Sequence, residues 1–433
     1  MGCIFKQPMI YLVLVSILFT YLCFNKINKV TFFKLSTEFY LFYFVFFIAI
    51  IGSSVFYFTD LNYSDRFIDE KYVEQNLYLV CYVSCAFSFS YMVFHRYIYC
   101  NDFKHYQALR ITPQFTNDYK IKYALLLLVS IFSCVYVISR LGSIPLLEVF
   151  QNDLDKSERF SSKFGFTGSH LIRNIFFIKL SSFLTLSLYA YKINNLGGKL
   201  IINLFFYTSL LVTFIGVTLY GSKAPIVIFI MAMYFVYSYS KNVSKYLPII
   251  FFSIIFLITF GLFFIINKNT ELTLYSGILS RIFVVPILGH ALSLQLFPEY
   301  FDFINGANIG FFADFYGSNI RSSYLIMSYI NPEGVENQTS GVVSSLFSAE
   351  AYAHFGYPGL LISPILVAFI FSTIQTLIIK ISIFRYKTPE NIALLSYITF
   401  YMPFMGGFND FIWNISLIFI LFIASAIRIF KYE

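Results

Sequence analysis

The chain has 433 residues, of which 58% are apolar and 12% charged, and its formal net charge is +8. A soluble domain carries about 25% charged residues, so this composition excludes an ordinary water-soluble enzyme and points to an integral membrane protein with many spans. Basic residues on the cytoplasmic side of a membrane account for the positive balance, and no nucleic acid is implied.

Apolar runs of bilayer length set the expected fold. It is an all-α integral membrane protein of eleven or twelve transmembrane helices, a single polytopic domain over 1–433, with a large extracytoplasmic loop carrying short interfacial helices. Pro8 to Phe24 is the first span, read as a retained anchor because no small-residue cleavage site follows it. Phe39 to Phe58 and Leu77 to Phe94 come next, separated by residues 59–76 with five acids and two bases. A basic stretch, 95–122, leads to Tyr123 to Ser139. The polar loop 140–174 opens with a Gly-Ser-Ile-Pro turn that breaks the preceding helix. Ile175 to Tyr191 and Leu200 to Leu219 follow, then the tight turn Tyr220-Gly221-Ser222-Lys223, then Ala224 to Tyr239 and Leu247 to Ile266. Ile282 to Phe297 is apolar but short and holds Pro286, Gly289 and His290, which predicts a re-entrant or interfacial helix. Tyr357 to Ile379, Ile392 to Phe408 and Phe411 to Ile427 are the last spans, the final two joined by a turn at 406–410.

The least membrane-like stretch is 298–356, within a large loop of about 267–356. It carries six acids and a single base, Arg321. Cytoplasmic loops collect lysine and arginine, so this loop is expected to face outward. The eleven-span arrangement puts 17 Lys and Arg inside and 12 outside, and the twelve-span arrangement 16 and 13. Both put the C-terminus in the cytoplasm and 298–356 outside; they differ in the side of the N-terminus and in whether 282–297 crosses.

The residues exclude several chemistries. The five histidines are scattered, no H-E-x-x-H occurs, and there is no phosphate-binding or dinucleotide-binding glycine loop, so neither a metal nor a cofactor is implied. The six cysteines lie in the first third of the chain, where Cys81 and Cys85 read as small buried hydrophobes. Lys179 is the one charge inside an expected span, where an ion-coupled carrier would be expected to keep several. The polar chemistry gathers instead at the outer face: Lys223, Arg281, Arg321, Arg159, Arg173, and the group Glu350, Tyr352 and His354. Glu350 and His354 are four apart and share a face if that stretch is helical. Each has a plainer alternative: a snorkelling lysine, an interfacial arginine, a solvated loop acid, or, for Arg321, a partner of a loop carboxylate.

Three features resemble the O-antigen polymerases, the Wzy-type polymerases of oligosaccharide repeat units. They are the turn Gly221-Ser222-Lys223 between two spans, Arg281 at the start of the region leading to the large loop, and the run Ser348-Ala349-Glu350-Ala351-Tyr352-Ala353-His354-Phe355-Gly356-Tyr357-Pro358-Gly359 entering a span. The run Arg140-Leu141-Gly142-Ser143-Ile144-Pro145 is also similar to a family feature. Lys223 stands where the family usually has arginine, which keeps the charge and loses the bidentate fork, and His354 stands where asparagine is common.

The resemblance implies a glycosyltransferase of the bacterial inner membrane, with its active site facing the periplasm, that joins undecaprenyl-diphosphate-linked oligosaccharides for lipopolysaccharide or related polysaccharide. It implies Glu350 and His354 as catalytic residues. Lys223 and Arg281 would bind the diphosphate, with Arg321 or Arg159 in reserve, and Tyr352 and Arg173 would bind substrate. The implied partners are the lipid-linked oligosaccharide, the bilayer, and a chain-length regulator and flippase of the same pathway. An O-antigen ligase uses the same donor chemistry and stays open, as do a flippase or transporter of lipid-linked oligosaccharide and a structural protein of an envelope assembly.

Overall fold

The structure, a computed structural model, describes residues 2–28, 30, 36–58, 68–98, 115–141, 166–196, 198–219, 223–241, 250, 251, 253, 257, 283–310, 321–337, 343–381 and 388–429. Among the described residues 85% are helical and none lies in a strand. The helices are α1 (Gly2–Ile27), α2 (Thr37–Phe58), α3 (Glu70–Val93), α4 (Asn117–Leu141), α5 (Leu180–Asn194, preceded by the π-helical stretch Ile172–Lys179), α6 (Lys199–Thr218) and α7 (Lys223–Ser240). They continue with α8 (Val285–Leu296), α9 (Ser322–Ile330), α10 (Pro332–Glu336), α11 (Phe347–Ile381), α12 (Pro389–Tyr401), α13 (Asn409–Ile412) and α14 (Ile415–Ile429). Among the described residues seven stretches are long and apolar enough to cross a membrane: those of α1, α2, α3, α4, α6 and α11, and Asn409–Ile427, which joins α13 to α14. The chain therefore has the build of a multi-pass membrane protein. On α6, Leu200, Leu204, Tyr207, Leu211 and Phe214 form an exposed apolar stripe, while Ile202, Phe206, Ser209 and Val212 are buried. Such a stripe suits lipid, not water.

Two compact units make up the chain. The first holds Met1–Cys100, Phe260–Ile374 and Pro403–Asn414. Its core is aromatic: Phe24, Phe46, Phe87, Tyr91, Phe347, Phe371, Phe404 and Phe411 stack or meet edge to face. Ser36 caps α2 by accepting from the Phe39 amide at 3.1 Å. Gly289 lets α8 lie against the stretch that enters α11, because a Cβ there would fall 2.6 Å from the Ser344 carbonyl. The second unit holds Asn101–Thr259, Gln375–Met402 and Ile415–Glu433. Cys134, Val137, Phe166, Phe177, Val212 and Leu219 form a core there. Glu390, fully buried at the start of α12, accepts from the Tyr123 and Tyr191 hydroxyls at 3.0 and 2.8 Å. The Lys179 ammonium lies 4.6 Å from the centre of the Tyr401 ring.

Several expected boundaries are corrected. Helix α3 starts at Glu70, so the end of the expected loop 59–76 is helical. Within the expected loop 267–356, residues 347–354 form a buried helix despite their acid and histidine, and a kink at Gly356 separates it from the helix that continues from Tyr357. The expected span Ile392 to Phe408 is instead Pro389–Tyr401. Thr388 caps it and Pro389 takes its first turn, while Pro403 and Gly406 turn the chain beyond it. Helix is resumed by Ile172, so Arg173 belongs to a helix and not to the loop 140–174. The expected span Leu247 to Ile266 lies largely outside the described residues. Of the cysteines, Cys23, Cys81 and Cys134 are buried and Cys85 is half-buried.

Candidate functional site

The site in the first unit is built on a break in α11. Gly356 sits at φ 63°, ψ −151°, a conformation that L side chains rarely adopt, and Pro358 follows. A helix would bond the 357 and 358 amides back to the carbonyls of Ala353 and His354. The kink removes the first of these bonds, and proline has no amide for the second. The freed carbonyls are taken by the Ile304 and Asn305 amides, both at 3.0 Å. The next amide, that of Gly306, donates to Nδ1 of His354 at 3.0 Å. Three successive amides thus dock on the end of the short outer half of α11.

This half carries Glu350 and His354 one turn apart, both buried. Glu350 Oε2 accepts from the Asn409 amide at 3.0 Å, and Oε1 has a long contact of 3.4 Å with Asn409 Nδ2. That Nδ2 bonds the Asn308 Oδ1 at 2.6 Å. Gly407 makes room for the carboxylate: a Cβ there would lie 2.8 Å from Glu350 Oε2 and 3.3 Å from Asp410 Oδ2. Asp410 holds Arg321 in a two-pronged ion pair with both N–O distances 3.2 Å. The side chains of the pair are 54% and 33% exposed, so a buried carboxylate and an exposed guanidinium are linked through one turn, 407–410.

Because the Gly306 amide donates to Nδ1, the neutral His354 ring carries its proton on Nε2. Nε2 is buried and has no hydrogen-bond partner among the described residues, and the same holds for Oδ1 of Asn409. Ser348, two residues before Glu350, is fixed by His290. The His290 Nε2 lies 3.1 Å from Ser348 Oγ and its Nδ1 2.9 Å from Asn76 Oδ1. Asn76 Nδ2 in turn donates to Ser53 at 3.2 Å, so His290 spans from α3 to the start of α11.

The sequence-derived candidates divide as follows. Glu350, His354 and Arg321 belong to this one site. Tyr352 lies between the first two, but its hydroxyl donates to the Phe297 carbonyl at 3.1 Å and its ring meets Phe303 and Tyr357 edge to face. Arg173 is in the second unit, buried, with Nε donating to Asn174 at 3.1 Å and its guanidinium 4.9 Å from the Phe166 ring centre. Lys223 opens α7, and its side chain is outside the described residues, as are Arg281 and Arg159. Asn308, Asn409 and Asp410 were not singled out from the sequence. Asn409 and Asp410 carry one signal, the Gly-Gly-Phe-Asn-Asp turn between two apolar runs, and Asn308 carries none.

No protein-family model, curated protein or solved structure matches the chain.

Proposed function

We propose that the protein is a multi-pass membrane glycosyltransferase that polymerises undecaprenyl-diphosphate-linked oligosaccharide repeat units into O-antigen or a related surface polysaccharide. In this reading the site faces the periplasm from the bacterial inner membrane, and the C-terminus lies in the cytoplasm. The observation that carries it is the joining of Glu350 to the Arg321–Asp410 pair through the 407–410 turn. Buried base and exposed cation are the two parts that sugar transfer from a diphosphate needs.

In the transfer, a hydroxyl oxygen of one glycan bonds to the anomeric carbon of the other, and the bond from that carbon to the diphosphate oxygen breaks. Glu350 takes the hydroxyl proton. Its Oε1 is the oxygen for this, because Oε2 is engaged by the Asn409 amide. His354 presents Nε2–H and serves as a hydrogen-bond donor to the sugar, not as a second base. Arg321 meets the charge that develops on the departing diphosphate, as fixed cations do in transition states. Lys223, Arg281 and Arg159 are kept as further cations on sequence grounds alone. A flippase would deliver the lipid-linked repeats and a chain-length regulator would set how many are joined.

The test is the glycolipid profile of cells carrying Glu350→Gln at normal protein abundance. The expected result is a lost polymer ladder with lipid core capped by single repeats. Loss of all capping, with polymer stranded on the polyprenyl carrier, would instead make the protein a ligase. Repeats stranded on the cytoplasmic side would make it a flippase. An unchanged ladder would overturn the assignment.

A further inference from the structure

The chain has a single tryptophan, Trp413. It stands one turn beyond the residues that hold the site. Its amide donates to the Asn409 carbonyl at 2.9 Å, so its backbone is fixed by the same residue whose own amide binds Glu350. Gly310, at φ +38°, passes so close to the root of the indole that a Cβ there would collide with it. Gly310 belongs to the segment whose residues 304–306 dock on the broken helix and whose Asn308 binds Asn409. The indole is therefore anchored from two sides of the site and is still 44% exposed. Asp410, three residues before Trp413 in the chain, is partly exposed and holds Arg321. An exposed indole offers a flat apolar face, and the Asp410–Arg321 pair, held from three residues earlier in the chain, offers an acceptor and a donor. A pyranose ring has the matching chemistry, with a face of C–H groups and an edge of hydroxyls.

We propose that Trp413 is the platform on which a sugar ring of the acceptor glycan rests, with Asp410 accepting from that ring's hydroxyls, so that the attacking hydroxyl is presented to Glu350. This rests on the glycosyltransferase reading above and adds the residue that selects the acceptor.

The single tryptophan makes the test direct. The full chain, in detergent, is titrated with the repeat-unit oligosaccharide freed by mild acid from the host's own lipid-linked pool, and indole emission is followed. A saturable change in emission is expected. In transfer assays Trp413→Ala should raise the acceptor KM about tenfold or more, the usual cost of truncating an aromatic anchor, while Trp413→Phe keeps most of the affinity. The competing reading is a tryptophan of the membrane interface. Reconstitution in phosphatidylglycerol vesicles with brominated acyl chains tests that reading. Emission quenched by bromine and indifferent to the oligosaccharide overturns the platform. Glu350→Gln runs in parallel: if it abolishes the ladder while Trp413 ignores the sugar, only the platform falls. If it leaves the ladder intact, the polymerase reading falls.

Discussion

His290 tests whether the hydrogen-bonded link at the start of α11 holds the site in place. Asn76 uses its Nδ2 on Ser53, so its Oδ1 faces the imidazole as an acceptor and His290 Nδ1 donates to it. Nε2 is then the acceptor for the Ser348 hydroxyl. All three residues are fully buried. His290→Ala orphans a buried amide oxygen and a buried hydroxyl and leaves a void, a loss of about 3–5 kcal/mol from unpaired polar groups and cavity together. Ser348→Ala leaves one imidazole nitrogen unpaired, a loss of roughly 1–3 kcal/mol. Both variants remove the same bond, so the double variant should fall short of additivity by about 1–2 kcal/mol. Unfolding in mixed micelles of rising dodecyl sulfate content, followed by Trp413 emission, measures all three. Additivity to within about 0.5 kcal/mol would mean that His290 and Ser348 do not act as a pair, and the argument fails.

Three further outcomes follow from the geometry. Glu390→Ala should destabilise the protein by about 2–4 kcal/mol, because two buried tyrosine hydroxyls lose their acceptor, whereas Glu390→Gln keeps a carbonyl oxygen and should cost much less; equal losses in thermal unfolding would refute this. Gly356→Ala forces a side chain into the left-handed region with its Cβ 3.1 Å from Phe303, at a cost of about 1–3 kcal/mol, read as a lowered unfolding midpoint. Arg321→Ala should change stability by less than about 1 kcal/mol, since the ion pair is exposed, yet reduce polymer yield; a large stability loss with normal polymer would reverse the assignment of Arg321 from substrate to structure.

Much of the membrane fold was legible because apolar runs of bilayer length are a direct imprint of the solvent. Runs such as Thr37–Phe58 and Lys199–Thr218 could be read almost to the residue. Boundaries failed where a polar residue is buried by tertiary packing. Glu350 and His354 read as loop residues because the sequence does not reveal that Asn409 and the Gly306 amide await them. Glu390 stands just before the expected span Ile392 to Phe408, and its tyrosine partners lie far away in the chain. The spacing of Glu350 and His354 was informative because the stretch is helical. Asn308 and Asn409 could not be found, since only folding brings them together.

The docking of 304–306 on the end of the outer half of α11 constrains how this protein can vary. Three consecutive amides must meet two carbonyls and one imidazole nitrogen in order. The bonding uses main-chain amides, but Asn305 at φ 50° and Gly306 at φ 79° hold left-handed backbone that restricts which residues those positions accept. One inserted or deleted residue between Phe303 and Gly310 shifts every amide out of register and moves Asn308 away from Asn409 at the same time. Across related chains this stretch should therefore keep a fixed length, a pattern opposite to that of most connecting segments.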